Sequence, residues 1–523
     1  MNRYLMILEV SRKQDYIFSD KKLIENVNRS RDIAYVTSSG FFKEAAGDIY
    51  DEEKNFVYAG GGHTIVEYDN EQDAVDFAKK VTLYALNNYH GLEIFVKRIV
   101  FDDSDKDAAK AFEKLTQELE KKKALRRESI RCISYGGMSE VPDKNKLANL
   151  GNIRNRYKGF LPAPEGCEFP AEFDKISYVD SEYDYGSVKD NFIAVVHIDG
   201  NAMGTRVKRI YDKGGDYETL KKRLRSFSEN IQEQFEETFS KMADEVYGYV
   251  KDKLHTNPAT GKKIFPLRPI VLAGDDVCFV TEGNLGIECA RIFMEKLSTK
   301  SNSEDGEKYS ACAGVAIVHR KYPFHMAYAM SEQLCSSAKK CGVELETTGK
   351  LSLIDWHIEY GQLKEKLSEI REAYITDDGM HMELRPYVVV NPEPDRIHVD
   401  DILMYDFFKT MCRQMQNREK SISRGKLKEM RNAIKQGMLE TEYYVNKNQI
   451  ADILYKGFNS EYRTDAQKWE MYKKIIGKEE QFDKSVFREV SRGKNTDKYS
   501  ILFDAMEAMD NCYFFEEAKE NGK

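Results

Sequence analysis

One short stretch constrains this chain more than any other, the run Leu-Ala-Gly-Asp-Asp-Val at residues 272–277. It lies within residues 268–280, where an apolar segment, a Gly and two adjacent carboxylates are followed at once by a second apolar segment. Two β-rich segments joined by so short a polar turn predict a hairpin that carries acids at its tip. Gly and Asp are also ordinary turn residues, so the hairpin alone is typical of a plain turn.

A second stretch changes that interpretation. Residues 192–198 form an apolar strand that ends on Asp199 and is followed by Gly-Asn-Ala-Met-Gly. If this strand pairs beside the hairpin, Asp199 converges with Asp275 and Asp276. Magnesium prefers hard oxygen ligands, and one or two carboxylates plus substrate phosphates hold it. In polymerases and cyclases two such ions act together, so the three aspartates predict a two-magnesium site.

Composition limits the classes of protein to which the chain can belong. Its 523 residues, 41% hydrophobic and 32% charged, predict two to four globular domains. The net charge of −8 argues against a protein that coats nucleic acid non-specifically, although a local basic patch remains compatible with it. We predict a cytoplasmic protein with no membrane partner, because neither a signal peptide nor a membrane-spanning segment is recognisable. Nine Cys without any Cys-x-x-Cys pair favour neither structural zinc nor disulfides.

The chain contains an internal duplication. Residues 1–105 and 191–320 both predict the order strand, helix, hairpin, helix, strand. Where the second copy has its acidic hairpin, the first has Tyr-Ala-Gly-Gly-Gly-His at residues 58–63, which leaves no acid there. Glu9 can mimic Asp199, but the first copy is not expected to bind two metal ions. The glycines either let backbone N–H groups cradle phosphate or form a tight turn of positive φ.

Basic residues near the second copy have two interpretations each. Lys339 and Lys340 follow Ser-Ala near the end of a predicted helix, where they can complement the helix dipole or reach a triphosphate. The basic runs at residues 121–127 and 413–435 can face RNA, or each can be a solvated helix face.

These motifs together resemble the large polymerase-like subunit of type III CRISPR effector complexes. The resemblance rests on Ser-Arg-Lys-Gln-Asp-Tyr-Ile-Phe-Ser at residues 11–19, the glycine-rich hairpin, Asp-Gly-Asn from Asp199, Gly-Asp-Asp from Gly274, and Ser-Ala-Lys-Lys at residues 337–340. It implies an α+β fold of two ferredoxin-like palm domains, of the nucleotidyl cyclase and polymerase kind, with helical insertions and a C-terminal helical domain. The implied domains are a first, degenerate palm (1–105), a helical and loop-rich connecting region (106–190), a second, catalytic palm (191–375) and a mainly helical domain (376–523).

The resemblance also implies a reaction and a site. Two ATP molecules between the palms would be joined through 3′–5′ bonds into a cyclic oligoadenylate that activates separate effector proteins. Asp199, Asp275 and Asp276 are the implied catalytic and metal-binding residues, with the backbone carbonyl of Gly200 as a further ligand for two Mg²⁺ or Mn²⁺ ions. The expected nucleotide-binding residues are Gly274, Asn201, Gly204, Lys339, Lys340, Gly60, Gly61 and Gly62.

The sequence departs from the family pattern in three ways. Ala273 replaces the first Gly of the usual Gly-Gly-Asp-Asp, a change we expect to be tolerated because Ala is small. None of the nine His is followed by Asp, so we expect no HD nuclease activity. Only Cys132 and Cys167 lie between the palms, so zinc-binding Cys pairs are not expected. A reduced member of this kind can be a stand-alone synthase or a subunit of a complex.

Two other functions remain open at this point. The chain can be a scaffold subunit that binds guide or target RNA and other CRISPR subunits without turnover. It can also be a GGDEF-type cyclase that makes a cyclic dinucleotide, although such enzymes usually pair two separate chains, whereas this chain carries both palms.

Overall fold

The computed structural model describes most of the chain, namely residues 2–102, 108–125, 161–176, 192–346, 349–361, 364–416, 422–450, 453–454 and 486–515. Several features used above lie outside these residues: Cys132, the last two residues of the 121–127 basic run and residues 417–421 of the 413–435 run. No helix within the described ranges has the length and apolar character needed to span a membrane.

The first palm is an antiparallel four-stranded sheet in the order β2-β3-β1-β4. Its strands are β1 Asn2–Ser11, β2 Phe56–Gly60, β3 His63–Tyr68 and β4 Glu93–Asp102. Its helices are α1 Lys13–Ile17, α2 Leu23–Val36, α3 Ser39–Ala46, α4 Glu52–Asn55 and α5 Glu71–Asn88. Where the sequence predicts one helix between the first strand and the hairpin, α2 and α3 are separate, because Ser38 caps α3 by accepting a hydrogen bond from the Phe41 N–H at 3.3 Å.

The second palm contains the same sheet with two added strands, in the order β12-β11-β10-β6-β9-β8. Its strands are β6 Phe192–Gly200, β8 Leu267–Ala273, β9 Asp276–Glu282, β10 Ala311–His319, β11 Ser352–Ile358 and β12 Tyr387–Val390. Its main helices are α7 Met203–Asp212, α8 Tyr217–Val250, α9 Gly286–Ser298 and α10 Phe324–Leu345. The four strands β8-β9-β6-β10 repeat the order and antiparallel pairing of β2-β3-β1-β4, which confirms the duplication and the α+β class.

The C-terminal region differs from the helical domain expected after residue 375. Strand β12 pairs with β11 and therefore belongs to the palm sheet, so the boundary at 375 does not coincide with the edge of that sheet. Strand β12 joins the palm sheet because the side chains of Tyr387 and Val388 are mainly apolar and are buried there. The region also contains a β-hairpin, β13 Phe487–Arg492 with β14 Asn495–Ser500. Its helices, with the short α11 that precedes it, are α11 Leu367–Glu372, α12 Tyr405–Gln416, α13 Arg424–Lys435, α14 Met438–Lys447 and α15 Phe503–Ala508.

The region between the palms contributes α6 Ala108–Ala124 and β5 Cys167–Glu168, the latter paired with β7 Lys263–Ile264. Lys121, Lys122 and Lys123 of α6 all bond within the chain, to Glu118 at 2.8 Å, to the Val96 carbonyl at 2.8 Å and to Glu9 at 2.9 Å. This part of the predicted RNA-facing run is therefore engaged within the protein.

The two palms share their hydrophobic core. Alternate residues of β1 point to opposite faces, so Leu5 and Ile7 belong to one cluster and Met6 and Leu8 to another. Strand β6 divides in the same way between both clusters, as expected for a central strand covered on both faces. Each cluster contains residues of both palms, so the palms are packed together.

Helix α8 connects the two hairpins directly. On the first palm, Arg225 donates to the Val57 carbonyl at 3.1 Å and Ser228 donates to the Ala59 carbonyl. One turn further along, Gln232 donates to the Leu272 carbonyl of the second palm at 3.3 Å. The same helix thus holds the tip of β2 and the tip of β8.

Candidate active site

The three aspartates meet at one end of the second palm sheet. Register pairs Asp199 at the end of β6 with Asp276 at the start of β9, and Asp276 with Ala273 of β8. Between them, Gly274 has a φ of +66°, as the first central residue of a type II′ hairpin turn requires. The predicted convergence of the strand end and the hairpin is therefore present.

Gly200 lets Asp275 lie against the neighbouring strand. The Gly200 N–H donates to the Asp275 carbonyl at 3.2 Å. A Cβ added at Gly200 would lie 2.8 Å from the Cβ of Asp275, closer than side chains pack. The Gly that follows Asp199 is thus needed for the aspartates to come together.

Burial and neighbouring negative charge disfavour the ionised forms of Asp275 and Asp276. Burial, with the negative charge of Asp199 next in strength, raises the pKa of Asp275 to about 7. Burial also raises the pKa of Asp276, while His197 acts in the opposite direction. Although 45% of the Asp276 side chain is exposed to the cleft, its Oδ1 atom is buried, 3.7 Å from His197 Nδ1, with no hydrogen-bond partner among the described residues.

Lys339 supplies the positive charge at this cluster. Its Nζ lies 2.6 Å from Asp199 Oδ2 and donates to the Gly200 carbonyl at 3.0 Å. Burial is the strongest influence and acts to lower the pKa of Lys339, but Asp199, together with Cys335 and Cys312, raises the pKa overall. Helix α10 can carry the lysine here because Gly314 lets it approach β10: a Cβ at Gly314 would lie 2.0 Å from the Ser331 carbonyl oxygen.

The carboxylate and carbonyl oxygens at this site suit a hard cation, but water and substrate phosphate oxygens are needed to complete its coordination shell. Asp199 and the Gly200 carbonyl are both expected metal ligands. Here they bind the ammonium group of Lys339, which supplies positive charge at the position expected for a metal ion. No group of three or more His, Cys, Asp or Glu side chains in the described parts of the chain is arranged to hold a metal. Magnesium commonly takes one or two carboxylates and completes its shell with water and phosphate oxygens. Asp199, Asp276 and the Gly200 carbonyl fit that pattern.

The other predicted nucleotide-binding residues of the second palm lie apart from the acids. Asn201 is buried, and its amide donates to the Leu351 carbonyl at 2.9 Å and to Ser310 at 3.2 Å, so it holds two loops together. Gly204 is in the first turn of α7 with open space beside it. The Lys340 side chain is 81% exposed and lies 4.0 Å from Glu344. The structure therefore brings Lys339, but not Lys340, to the aspartates.

The glycine-rich hairpin of the first palm faces the acidic hairpin across a cleft. Gly61 and Gly62 have φ values of +56° and +78°, so this turn does require glycine. A Cβ added at Gly274 would lie 3.8 Å from the Gly61 nitrogen. A cavity of about 1010 Å³ opens beside the two tips, lined by Gly60, Gly61, Gly62, Gly274 and Asp276 among others.

The first palm has a neutral version of the acidic site. Glu9 and His63 pair in the register that Asp199 and Asp276 have in the second palm. Lys123 Nζ lies 2.9 Å from Glu9, as Lys339 lies beside Asp199. Burial lowers the pKa of His63 to about 4, which leaves its ring uncharged at neutral pH. This pair is consistent with the expectation that the first copy binds no pair of metal ions.

Sequence reasoning assigned no role to two residues of the cavity wall and gave a different role to a third residue near the hairpins. Lys13 lines the cavity and contacts the Gly61 carbonyl, and Gln232 accepts a hydrogen bond from the Gly274 N–H at 2.5 Å. Lys13 belongs to the motif at residues 11–19, whereas no motif includes Gln232. Lys123 belongs to the basic run at residues 121–127, which was interpreted as facing RNA or solvent, but it pairs with Glu9.

Fold and site together define a class, the two-palm proteins in which an acidic palm and a neutral palm face each other across a nucleotide-sized cleft. Within that class, residues 192–344 match the family model described as Cas10/Cmr2, second palm domain. Over these residues the chain is similar to the Cas10/Cmr2 second palm, which confirms the resemblance to the large subunit of type III CRISPR effector complexes.

Solved structures share this fold. Crystal structures of a Csm1–Csm4 cassette with cA4 and with cA3 each align with 97% of this chain and 69% of their own, with a TM-score of 0.51 and identities of 12% and 11%. The apo Csm1–Csm4 cassette aligns with 65% of this chain and 53% of its own, at 14% identity and a TM-score of 0.42. The chain thus spans 53–69% of the length of these matched chains. No curated protein matches it.

The raised pKa of Asp275 predicts a pH-dependent stability in the absence of metal. Its pKa of about 7 in the folded protein exceeds the ordinary 3.8, so its stabilising contribution is complete below about pH 4 and is lost as the pH rises through 7. Between pH 6 and pH 8 we expect a loss of about 1 kcal/mol in EDTA. Thermal unfolding of the wild type and of Asp275→Asn at both pH values measures it.

The Asp275→Asn variant isolates this group from the other titrating residues. Because asparagine does not ionise, the variant is expected to lose less stability than the wild type between pH 6 and pH 8. Equal losses in the two proteins would show that Asp275 is already ionised at pH 6.

Proposed function

We propose that this chain is a nucleotidyltransferase that joins ATP molecules through 3′–5′ phosphodiester bonds into a cyclic oligoadenylate, in CRISPR-type antiviral signalling. The observation that carries the proposal is the meeting of Asp199, Asp275 and Asp276 in the second palm, beside a cleft whose other wall includes the glycine hairpin of the first palm. The match of residues 192–344 to the Cas10/Cmr2 second palm supports it.

In the proposed reaction, the 3′-hydroxyl oxygen of one nucleotide bonds to the α-phosphorus of another, the hydroxyl proton is lost, and pyrophosphate leaves. Phosphoryl transfer depends mainly on positioning and on neutralising charge. When bound, two Mg²⁺ or Mn²⁺ ions would activate the hydroxyl and stabilise the leaving pyrophosphate. Asp199, Asp275, Asp276 and the Gly200 carbonyl would hold them.

The chain's own residues have distinct parts in this proposal. Lys339, whose ammonium group lies beside Asp199, would bind the triphosphate. The glycines at residues 60–62 carry no side chains of their own, which would let a nucleotide approach the backbone of the first palm. The cavity beside the two hairpin tips would hold the two nucleotides side by side.

Partners follow from the same proposal. The similar structures are complexes of Csm1 with Csm4, and we propose that this chain likewise works with other CRISPR subunits and with guide or target RNA. Its product would act on a separate effector protein. The scaffold-only alternative gains no support from Lys121, Lys122 and Lys123, which are bonded within the chain.

Mass spectrometry of the small molecules formed from ATP, GTP and Mg²⁺ tests the proposal. The Asp275→Ala/Asp276→Ala double variant and an EDTA-treated sample are the controls. A cyclic oligoadenylate made only by the wild type with metal is expected. A product from GTP alone would favour the GGDEF-type cyclase, and no nucleotide product, even with copurified RNA, would favour the scaffold.

A further inference from the structure

We propose that Lys13, a residue of the first palm, binds the phosphate chain of a nucleotide in the cleft and so supplies a cation to the acidic site of the second palm. This inference rests on the proposed function, since it assigns a role to a residue in the same cleft. It concerns the recognition of phosphate rather than the chemistry of the aspartates.

The left-handed backbone of Arg12 and the lack of a side chain at Gly62 together determine where the Lys13 side chain lies. Arg12, the residue before it, adopts a left-handed conformation with a φ of +49° and directs the chain from β1 into α1. The lysine side chain then lies across the glycine hairpin: a Cβ added at Gly62 would be 2.6 Å from its Cε atom. Gly62 is therefore required both for the turn and for the path of this side chain.

The ammonium group is held at the junction of the two palms. Its Nζ donates to the Gly61 carbonyl, and Gly61 is the residue that lies against Gly274. Burial is the strongest influence on the pKa of Lys13 and lowers it, while Glu9, Asp276 and Asp275 act to raise it. An ammonium group carries three donor hydrogens, of which the Gly61 carbonyl takes one.

The charges around the cavity indicate which wall a phosphate chain would face. Carboxylates that repel phosphate line the α8 wall, namely Glu229, Glu233, Glu236 and Glu237, and Glu52 of α4 adds one on the first palm. Two basic residues line the cavity among the described residues, Lys13 and Arg225. The guanidinium group of Arg225 is bound to the carbonyls of Phe56 and Val57. Lys13 is thus the cation placed to meet the phosphates between the two hairpins.

Isothermal titration with a non-hydrolysable ATP analogue and Mg²⁺ tests this assignment, with adenosine as the second ligand. The variants are Lys13→Met, Lys13→Arg and, as a matched control, Lys79→Met, whose side chain is 73% exposed on α5. Lys13→Met is expected to weaken binding of the analogue roughly 10- to 100-fold, the range for hydrogen bonds to a charged group. Its affinity for adenosine should stay within about twofold of the wild type, and Lys13→Arg should retain most of the affinity for the analogue.

Each other outcome overturns the assignment. If Lys13→Met binds the analogue as tightly as Lys79→Met does, Lys13 makes no phosphate contact. If it loses the analogue and adenosine equally, Lys13 supports the hairpin rather than a phosphate. A wild type that binds no analogue overturns both this inference and the proposed function, whereas binding without product formation contradicts only the latter.

Discussion

Asp276→Asn is expected to lower the rate of product formation about a thousandfold, which corresponds to on the order of 4 kcal/mol of the activation barrier. The reason is that asparagine keeps the size of the side chain but removes the negative charge that a divalent cation requires. Asp276 faces Asp199 across the β6–β9 pairing, so no other carboxylate of the hairpin can replace it at that register. Initial rates over a range of ATP and Mg²⁺ concentrations measure the effect.

The control for this variant is Asp212→Asn, an exposed aspartate at the end of α7 in the same palm. It removes the same charge from the domain and is expected to leave the rate within about twofold. The thermal stability of Asp276→Asn should not fall, because burial of the Oδ1 atom raises the pKa of Asp276 and the ionised carboxylate therefore does not stabilise the fold. A loss of less than tenfold in rate would remove Asp276 from the proposed metal-binding set.

The second large effect is expected far from the cleft, at the fully buried Arg385. Its guanidinium group lies 2.6 Å from Glu507, 3.0 Å from Asp504 and 2.8 Å from Glu383. It joins α15 to the chain entering β12. Glu383 would keep Arg371 and Glu507 would keep Arg431 at 3.8 Å, but Arg385→Met would leave Asp504 buried without a cation and would remove the centre of the network, so we expect the free energy of unfolding to fall by about 3–5 kcal/mol. Urea unfolding, compared with the 83% exposed Arg396→Met, measures this.

Limited proteolysis adds a local readout for Arg385→Met. Because Asp504 and Glu507 belong to α15, loss of their partner should expose the C-terminal segment to protease before the palms unfold. If Arg385→Met and Arg396→Met unfold within 1 kcal/mol of each other, the network is not what attaches this segment to the palm.

The acidic hairpin was predictable because its information is local. The strand, the turn glycine and the two acids follow one another in the sequence. The strand that ends on Asp199 can be recognised from the sequence in the same way. The contacts missed join residues 42, 48 and 114 positions apart, Gly274 with Gln232, Gly61 with Lys13, and Lys123 with Glu9. No local pattern specifies such pairs, because they depend on how two domains pack.

Helix geometry explains why one lysine of the pair lies beside the aspartates and the other does not. Consecutive residues of a helix point about 100° apart, so a face that directs Lys339 to Asp199 directs Lys340 away from it. The sequence names both lysines but does not show which face of α10 is buried. The place of β12 in the palm sheet likewise depends on a partner strand whose paired residues lie 33–38 positions earlier in the chain, and not on its own four residues.

The site of an insertion or deletion within helix α8 decides whether the two hairpin tips keep their spacing. Ser228 contacts the first hairpin and Gln232 the second, so one helical turn, about 6 Å long, sets the spacing of the two tips. Inserting or deleting a single residue in that turn would rotate one contact by about 100° relative to the other. Insertions elsewhere along the 34 residues of α8 would preserve this spacing. A change of length between Ser228 and Gln232 would therefore alter the relative position of the two hairpin tips.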